Sequence, residues 1–284
     1  MESQHTIARE ASRSGPGVHS GKAARLVIRP AAAGEGVAFI RSDLGGARIP
    51  ASALAAETPG MGTNLNGEGG ASVATVEHFL AACAGAGIDN LVAELDGPEL
   101  PILDGSSKNF VELIEEAGLA AQSAPRKRLK ILKPVEVRDG VKFARLSPHE
   151  GFAASIVIDF GAGPIGRQAL SFAMTPGSFA REIAWARTFG FARDAEAARA
   201  AGKALGASLD NTIVVDGDAI RNPGGLRAPD EFVRHKMLDV IGDMFLAGGP
   251  IDGLYEAEQP GHLMNNRLLR EVFGDPSAFA WTSA

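Results

Sequence analysis

Ala84-Gly85-Ala86-Gly87-Ile88-Asp89-Asn90-Leu91 reads like Ala247-Gly248-Gly249-Pro250-Ile251-Asp252-Gly253-Leu254, each stretch leaving a helical pattern and entering a β-like run. A second echo precedes each of them: Gly21-Lys22-Ala23-Ala24-Arg25-Leu26 resembles Gly140-Val141-Lys142-Phe143-Ala144-Arg145-Leu146. Two matches in the same order point to duplication of a strand-and-helix unit. Short apolar runs such as Ala24-Arg25-Leu26-Val27-Ile28 and Ser155-Ile156-Val157-Ile158-Asp159-Phe160 suggest strands, and helical periodicity appears near residues 74–84, 108–117, 176–186 and 231–246. The fold class is therefore α+β, each unit packing helices on one sheet face, with a cleft between the two layers as the natural place for a site. Ala120 to Arg128 combines small, polar, Pro and basic residues after a helix, so a linker is expected there. It separates an N-terminal α+β domain, 1–122, from a C-terminal one, 127–284.

With 284 residues, 45% apolar and 22% charged, the chain can bury a sizeable core. Its net charge of −6 and the lack of a long Lys/Arg run argue against nucleic acid as a partner. Met1-Glu2-Ser3-Gln4-His5 lacks the basic and apolar regions of a secretory signal, and no stretch approaches the ~18 apolar residues of a membrane span. The expectation is a cytoplasmic protein, monomeric, with no transmembrane segment and at most peripheral contact with a membrane. The single cysteine, Cys83, forbids an internal disulfide and sits among apolar neighbours as a small core residue on a helix.

In Asp230-Glu231-Phe232-Val233-Arg234-His235-Lys236-Met237-Leu238-Asp239-Val240-Ile241-Gly242-Asp243, His235 and Asp239 lie one turn apart on one helix face, with Asp243 a further turn along. Alone, this is an amphipathic helix with a solvated polar face, and a second cluster is needed. Thr75-Val76-Glu77-His78-Phe79-Leu80 supplies it, a Glu-His pair in an otherwise small and apolar segment at a helix entry. Two His and one Asp form a three-ligand metal set with one position left for water, and Glu77 is placed to take that water's proton. Most of the set, His235 and Asp239, falls in the C-terminal domain. His262, in Gly261-His262-Leu263-Met264-Asn265-Asn266, sits between turn residues and a helix start and is a candidate acid or electrostatic stabiliser.

These segments resemble the UDP-3-O-acyl-N-acetylglucosamine deacetylase family, zinc amidases of lipid A biosynthesis. The likeness runs through Gly17-Val18-His19-Ser20-Gly21, Thr75-Val76-Glu77-His78, Ala86-Gly87-Ile88-Asp89-Asn90, Glu99-Leu100-Pro101-Ile102-Leu103-Asp104-Gly105-Ser106, Ala186-Arg187-Thr188-Phe189-Gly190-Phe191, Asp230 through Asp243, and Gly261-His262 with Asn265-Asn266, and so covers nearly the whole chain. It implies His78, His235 and Asp239 as zinc ligands, with ferrous iron as the alternative occupant, and Glu77 as general base. It further implies His262 as acid or oxyanion partner, Asp243 as the group that orients it, and Thr188 as a hydroxyl stabilising the tetrahedral intermediate. Lys236 is implied as a diphosphate contact, while Phe191 and the stretch through Leu205, Gly206 and Ala207 would border a passage for the acyl chain. Lys142 is counted with the substrate contacts, and His19 is read as a substrate contact or a turn residue, not a ligand. The implied fold is two similar layered α/β-sandwich domains, pseudo-duplicated, with helices packed between two sheets. The implied reaction is hydrolysis of the N-acetyl group of the acylated UDP-amino sugar, releasing acetate, the committed step of lipid A biosynthesis. Gln259-Pro260 departs from the Lys-Ser pair more usual before Gly-His.

Two other classes fit parts of this pattern. Two His and a carboxylate also describe the facial triad of non-haem iron oxygenases, against which the adjacent Glu77 weighs. A catalytically silent protein that binds nucleotide sugars or acyl chains on the same scaffold is the other, disfavoured by the presence of Glu77 and His262 beside every ligand.

Overall fold

The computed structural model describes residues 2–58 and 61–283; Met1 and Ala284, at the ends of the two expected domain ranges, lie outside them. The strand patterns follow from one-sided burial. Phe152–Asp159 and Ile251–Glu258 alternate buried and half-exposed side chains along their length, as strands with one covered face must.

The first sheet has the order Ala11–Pro16, Ala23–Pro30, Leu91–Leu95, Val37–Arg41, Ala47–Pro50, with antiparallel, antiparallel, parallel and antiparallel neighbours. The second repeats the same path and the same senses with Val135–Asp139, Lys142–Ser147, Ile251–Glu258, Phe152–Asp159 and Arg167–Ala173. In each, a long helix (Glu77–Ala86 or Glu231–Phe245) precedes the central strand and another (Lys108–Ala117 or His262–Gly274) follows it. The repeat extends to the flanks: Ser3–Ile7 pairs with Leu119–Pro125 as Lys127–Ile131 pairs with Phe279–Ser283. The duplication read from the two echoes is present as topology, and the echoed segments occupy equivalent places in it.

The expected linker is not a loop. Leu119–Pro125 is a strand against Ser3–Ile7, and after Arg126 the chain enters Lys127–Ile131, a strand of the larger sheet. Its small and polar composition reflects an edge on which every other residue is exposed, a pattern that mimics a solvated tether.

Between the sheets, the Glu77–Ala86 and Glu231–Phe245 helices pack on each other, with Lys108–Ala117 against the first and His262–Gly274 against the second. Glu77–Ala86 is buried on every side through Cys83, as a helix between two layers must be. Gly87, in the left-handed region at φ 72°, caps it by donating to the Cys83 and Ala84 carbonyls. Phe79 stacks edge-on to Phe39 and Phe110 at 5.9 and 5.6 Å, joining sheet to helices. Each such buried ring contributes about 1.5–3 kcal/mol of apolar transfer energy. The two central helices meet at Gly242, where a Cβ would lie 2.0 Å from the Glu77 carbonyl oxygen; only glycine permits that approach. Two insertions leave the repeat: a three-stranded sheet of Ala56–Glu57, Asn64–Asn66 and Ser72–Val73, and another of Phe189–Phe191, Ile213–Asp216 and Ala219–Ile220.

Candidate active site

The two central helices bring His78, His235 and Asp239 together, one ligand atom of each lying within 4.8 Å of the others. Asp239 Oδ1 stands 3.7 Å from His78 Nε2 and 3.4 Å from His235 Nε2. All three are buried, and among the described residues Asp239 Oδ1 is one of two buried side-chain polar atoms without a hydrogen-bond partner, His78 Nδ1 being the other. Leaving a carboxylate oxygen unpaired in the interior is costly, and a cation at that point removes the cost. The imidazoles suit the same role. Burial, followed by the neighbouring His235, pushes His78 down to about 3, and burial likewise lowers His235, so both are neutral with free lone pairs. His235 Nδ1 lies 3.1 Å from the Ala186 carbonyl; as donor to it, the ring turns Nε2 toward Asp239. Burial works against the charge of Asp239, but the Lys236 ammonium, with the protonated His262 behind it, holds its carboxyl well below the usual carboxylate range. The polar face of Glu231–Phe245 is thus not solvated: His235, Asp239 and Asp243 are all buried.

Beside this cluster stands a buried Glu–His pair. Glu77 Oε1 lies 3.9 Å from His262 Nε2, and Glu77 Oε2 accepts the Thr63 amide at 3.0 Å. Burial drives the Glu77 carboxyl up to about 7, against the pull of His262. His262 is raised to about 9: burial opposes its charge, and Asp243 more than restores it by attraction and by accepting Nδ1–H at 2.9 Å. Asp243 is itself held by the Thr63 hydroxyl at 2.6 Å and the Asn265 amide at 2.8 Å, while Asn265 accepts from Tyr255 at 2.6 Å. Thr63 and Tyr255 were not legible as site residues. Tyr255, the only tyrosine in the chain, was at least a compositional signal; Thr63 sits in a Gly-rich stretch and carried none.

Lys236 Nζ donates to Asp239 Oδ2 at 2.8 Å and lies 5.5 Å from the Phe189 ring centre. Thr188 is two residues past the carbonyl that orients His235, and its amide donates to Gly105 O at 2.8 Å. Phe191, in the inserted sheet, packs on Phe160 at 5.8 Å with the Arg193 guanidinium 4.6 Å above it, and Phe189 on the same strand lies 6.2 Å from the His235 ring. His19 Nδ1 accepts the Ala204 amide at 3.4 Å; burial foremost lowers its pKa, with Lys203 and His262 adding to the effect. Lys142 is exposed at a hairpin whose next residue, Phe143, faces Glu258 on the strand leading to His262, so it stands outside the buried cluster. Four non-glycine residues among those described have left-handed backbone: Thr75, Leu103, Ala204 and Gln259. Thr75 lies two residues before Glu77 and Gln259 three before His262, and such strain, on the order of 1–3 kcal/mol each, tends to gather at functional sites.

A family profile described as LpxC, UDP-3-O-acyl N-acetylglycosamine deacetylase, matches residues 4–274. The chain belongs to this deacetylase family. Relatives bearing the name UDP-3-O-acyl-N-acetylglucosamine deacetylase include one from Phenylobacterium zucineum, 47% identical over 97% of this chain and 95% of its own length. Another, from Anaeromyxobacter sp., is 49% identical over 96% of this chain and 89% of its own, and one from Myxococcus xanthus is 49% identical over 97% and 88%. LpxC deacetylases are metalloenzymes, and the buried His-His-Asp cluster is where this member can hold its ion. A cavity of about 1020 Å³ lies elsewhere, around the C-terminal end of Glu77–Ala86 among Ala84, Ile88, Phe179, Met244 and Phe245. None of His78, His235 and Asp239 lines it. No helix among the described residues is long and apolar enough to cross a membrane.

Proposed function

We propose that this chain is a zinc-dependent hydrolase that removes the N-acetyl group from a UDP-3-O-acyl-N-acetylglucosamine, releasing acetate in the committed step of lipid A biosynthesis. The observation that carries the reading is the unpaired, buried Asp239 Oδ1 between two neutral imidazoles, with the Glu77–His262 pair alongside. Bound there, zinc would polarise the acetamide carbonyl and bring the pKa of water from ~15.7 toward ~7. Glu77, ionised above about 7, takes the proton of the attacking water. His262, protonated up to about 9, presents Nε2–H to the negative charge that grows on the carbonyl oxygen, and Asp243 holds it in that state. The Thr188 hydroxyl adds a second donor to that oxygen. As the C–N bond breaks, the Glu77–His262 pair returns a proton to the amine, giving acetate and a free amino sugar nucleotide. Lys236 would meet the diphosphate, with His19 and Lys142 as further substrate contacts and Phe191 beside the acyl passage. The iron reading keeps the same ligands, but the proton acceptor beside them favours hydrolysis. We further propose units of 1–122 and 127–284, a monomer, and a cytoplasmic location. Metal analysis combined with acetate release from the acylated sugar nucleotide is the test: a zinc-loaded chain that releases no acetate would refute the assignment.

Two results are expected here. kcat/KM should follow a bell in pH, rising as Glu77 loses its proton at or below about 7, since a nearby dication favours the carboxylate, and falling as His262 loses its own near 9. Asp243→Asn removes the anion that raises His262, so the alkaline limb should move to lower pH; an unmoved limb would dissociate it from His262. Lys236→Ala should raise KM for the full substrate by roughly 10–100-fold, the range for a hydrogen bond to a charged group, and far less for an analogue lacking diphosphate. Equal effects on both ligands would reject the phosphate contact, and metal content is measured alongside because Lys236 also pairs with Asp239.

A further inference from the structure

Glu99 belongs to neither the ligand set nor the proton-handling pair, yet its carboxylate is buried and fastened to two segments that border the site. Oε1 accepts the His19 amide at 2.8 Å and the Thr75 hydroxyl at 3.0 Å, and Oε2 accepts the Ser20 amide at 2.7 Å. On one side, Thr75 holds left-handed backbone at φ 58° two residues before Glu77, and the adjoining Ala74 pairs with Glu99 as an isolated parallel bridge. On the other, the loop that Glu99 grips is bonded to the segment beyond it. The Leu205 amide donates to His19 O and the Gly206 amide to Val18 O, both at 3.0 Å. The stack has no slack: a Cβ at Gly17 would lie 2.2 Å from Glu99 Oε2, and one at Gly206 would lie 2.2 Å from Gly17 O.

We propose that Glu99 is a positioning residue that couples the seating of the acyl chain along residues 204–207 to the alignment of Glu77 and His78. This rests on the deacetylase reading above. A carboxylate accepting two backbone amides is a stiff clamp, because charge-assisted hydrogen bonds are shorter and stronger than neutral ones. Through it, a displacement of 204–207 reaches the strained Thr75 and the start of the catalytic helix. Binding energy from the remote acyl chain is thereby used for orientation at the reacting centre, so shortened substrates lose turnover as well as affinity. Glutamine keeps the shape of Glu99 but turns an N–H group against one of the donors, which loosens the loop without emptying the space.

The test uses the metal-loaded full chain, with acetate release measured on a long-acyl and a short-acyl form of the sugar nucleotide. In Glu99→Gln, metal content should stay at the parent value while the parent's kcat preference for the long-acyl form falls by about tenfold, within what coupling through packed networks produces. Hydrogen exchange at the Leu205 and Gly206 amides should accelerate in the same variant. Thr75→Val, which removes one donor to Glu99 Oε1 and leaves residues 204–207 untouched, should lose the same preference, and it decides the matter if Glu99→Gln fails to fold. Equal losses on both substrates, or an unchanged preference in a folded variant, would overturn the coupling. A parent chain inert toward both substrates would instead remove the deacetylase reading, and this inference with it.

Discussion

Asp239→Ala and His235→Ala are each expected to purify with well under one metal ion per chain and to lose nearly all acetate release. Asp239 Oδ1 has no hydrogen-bond partner to keep it occupied, and His235 is aimed by the Ala186 carbonyl, so each contributes a donor whose position is set before any ion arrives. Disturbing an outer-shell partner of a metal ligand typically costs ~10–100-fold in affinity, and deleting the ligand itself should exceed that. Metal content by elemental analysis after gel filtration reads the outcome. Unchanged stoichiometry in either variant would strike that residue from the ligand set.

The second large effect separates base from ligand. Glu77→Ala should retain one metal ion per chain yet lose on the order of 10²–10⁴ in kcat, the usual contribution of a positioned general base. The carboxylate hydrogen-bonds to the Thr63 amide and faces His262, while His78, its chain neighbour, turns Nε2 toward Asp239, so the two side chains divide their tasks. Full turnover in the variant would end the assignment of Glu77 as proton acceptor.

Much of this was readable from residue order alone, for identifiable reasons. The echoes at 84–91 and 247–254 survive because each marks a helix end, a turn and the start of a central strand, where side chains are constrained by both layers. The fold class follows from them. The Glu77-His78 pair stood out because ionisable groups in an apolar run need a reason to be there. Other features depended on partners that sequence pattern does not display. The polar face of Glu231–Phe245 looks the same whether it meets water or another helix, and only the packing of Glu77–Ala86 against it shows which. Leu119–Pro125 reads as a tether because its edge position leaves half its side chains wet. Thr63 reaches Asp243 from 180 residues away, a pairing that no local spacing encodes.

The equivalent helices of the two repeats do unequal things: one brings Glu77 and His78, the other His235 and Asp239, and they touch at Gly242. A solitary copy of the unit therefore holds only a fragment of the His-His-Asp cluster. An ion gripped by both copies would act as a rivet across the internal seam, so chelation should loosen the union of the halves as well as silence the chemistry.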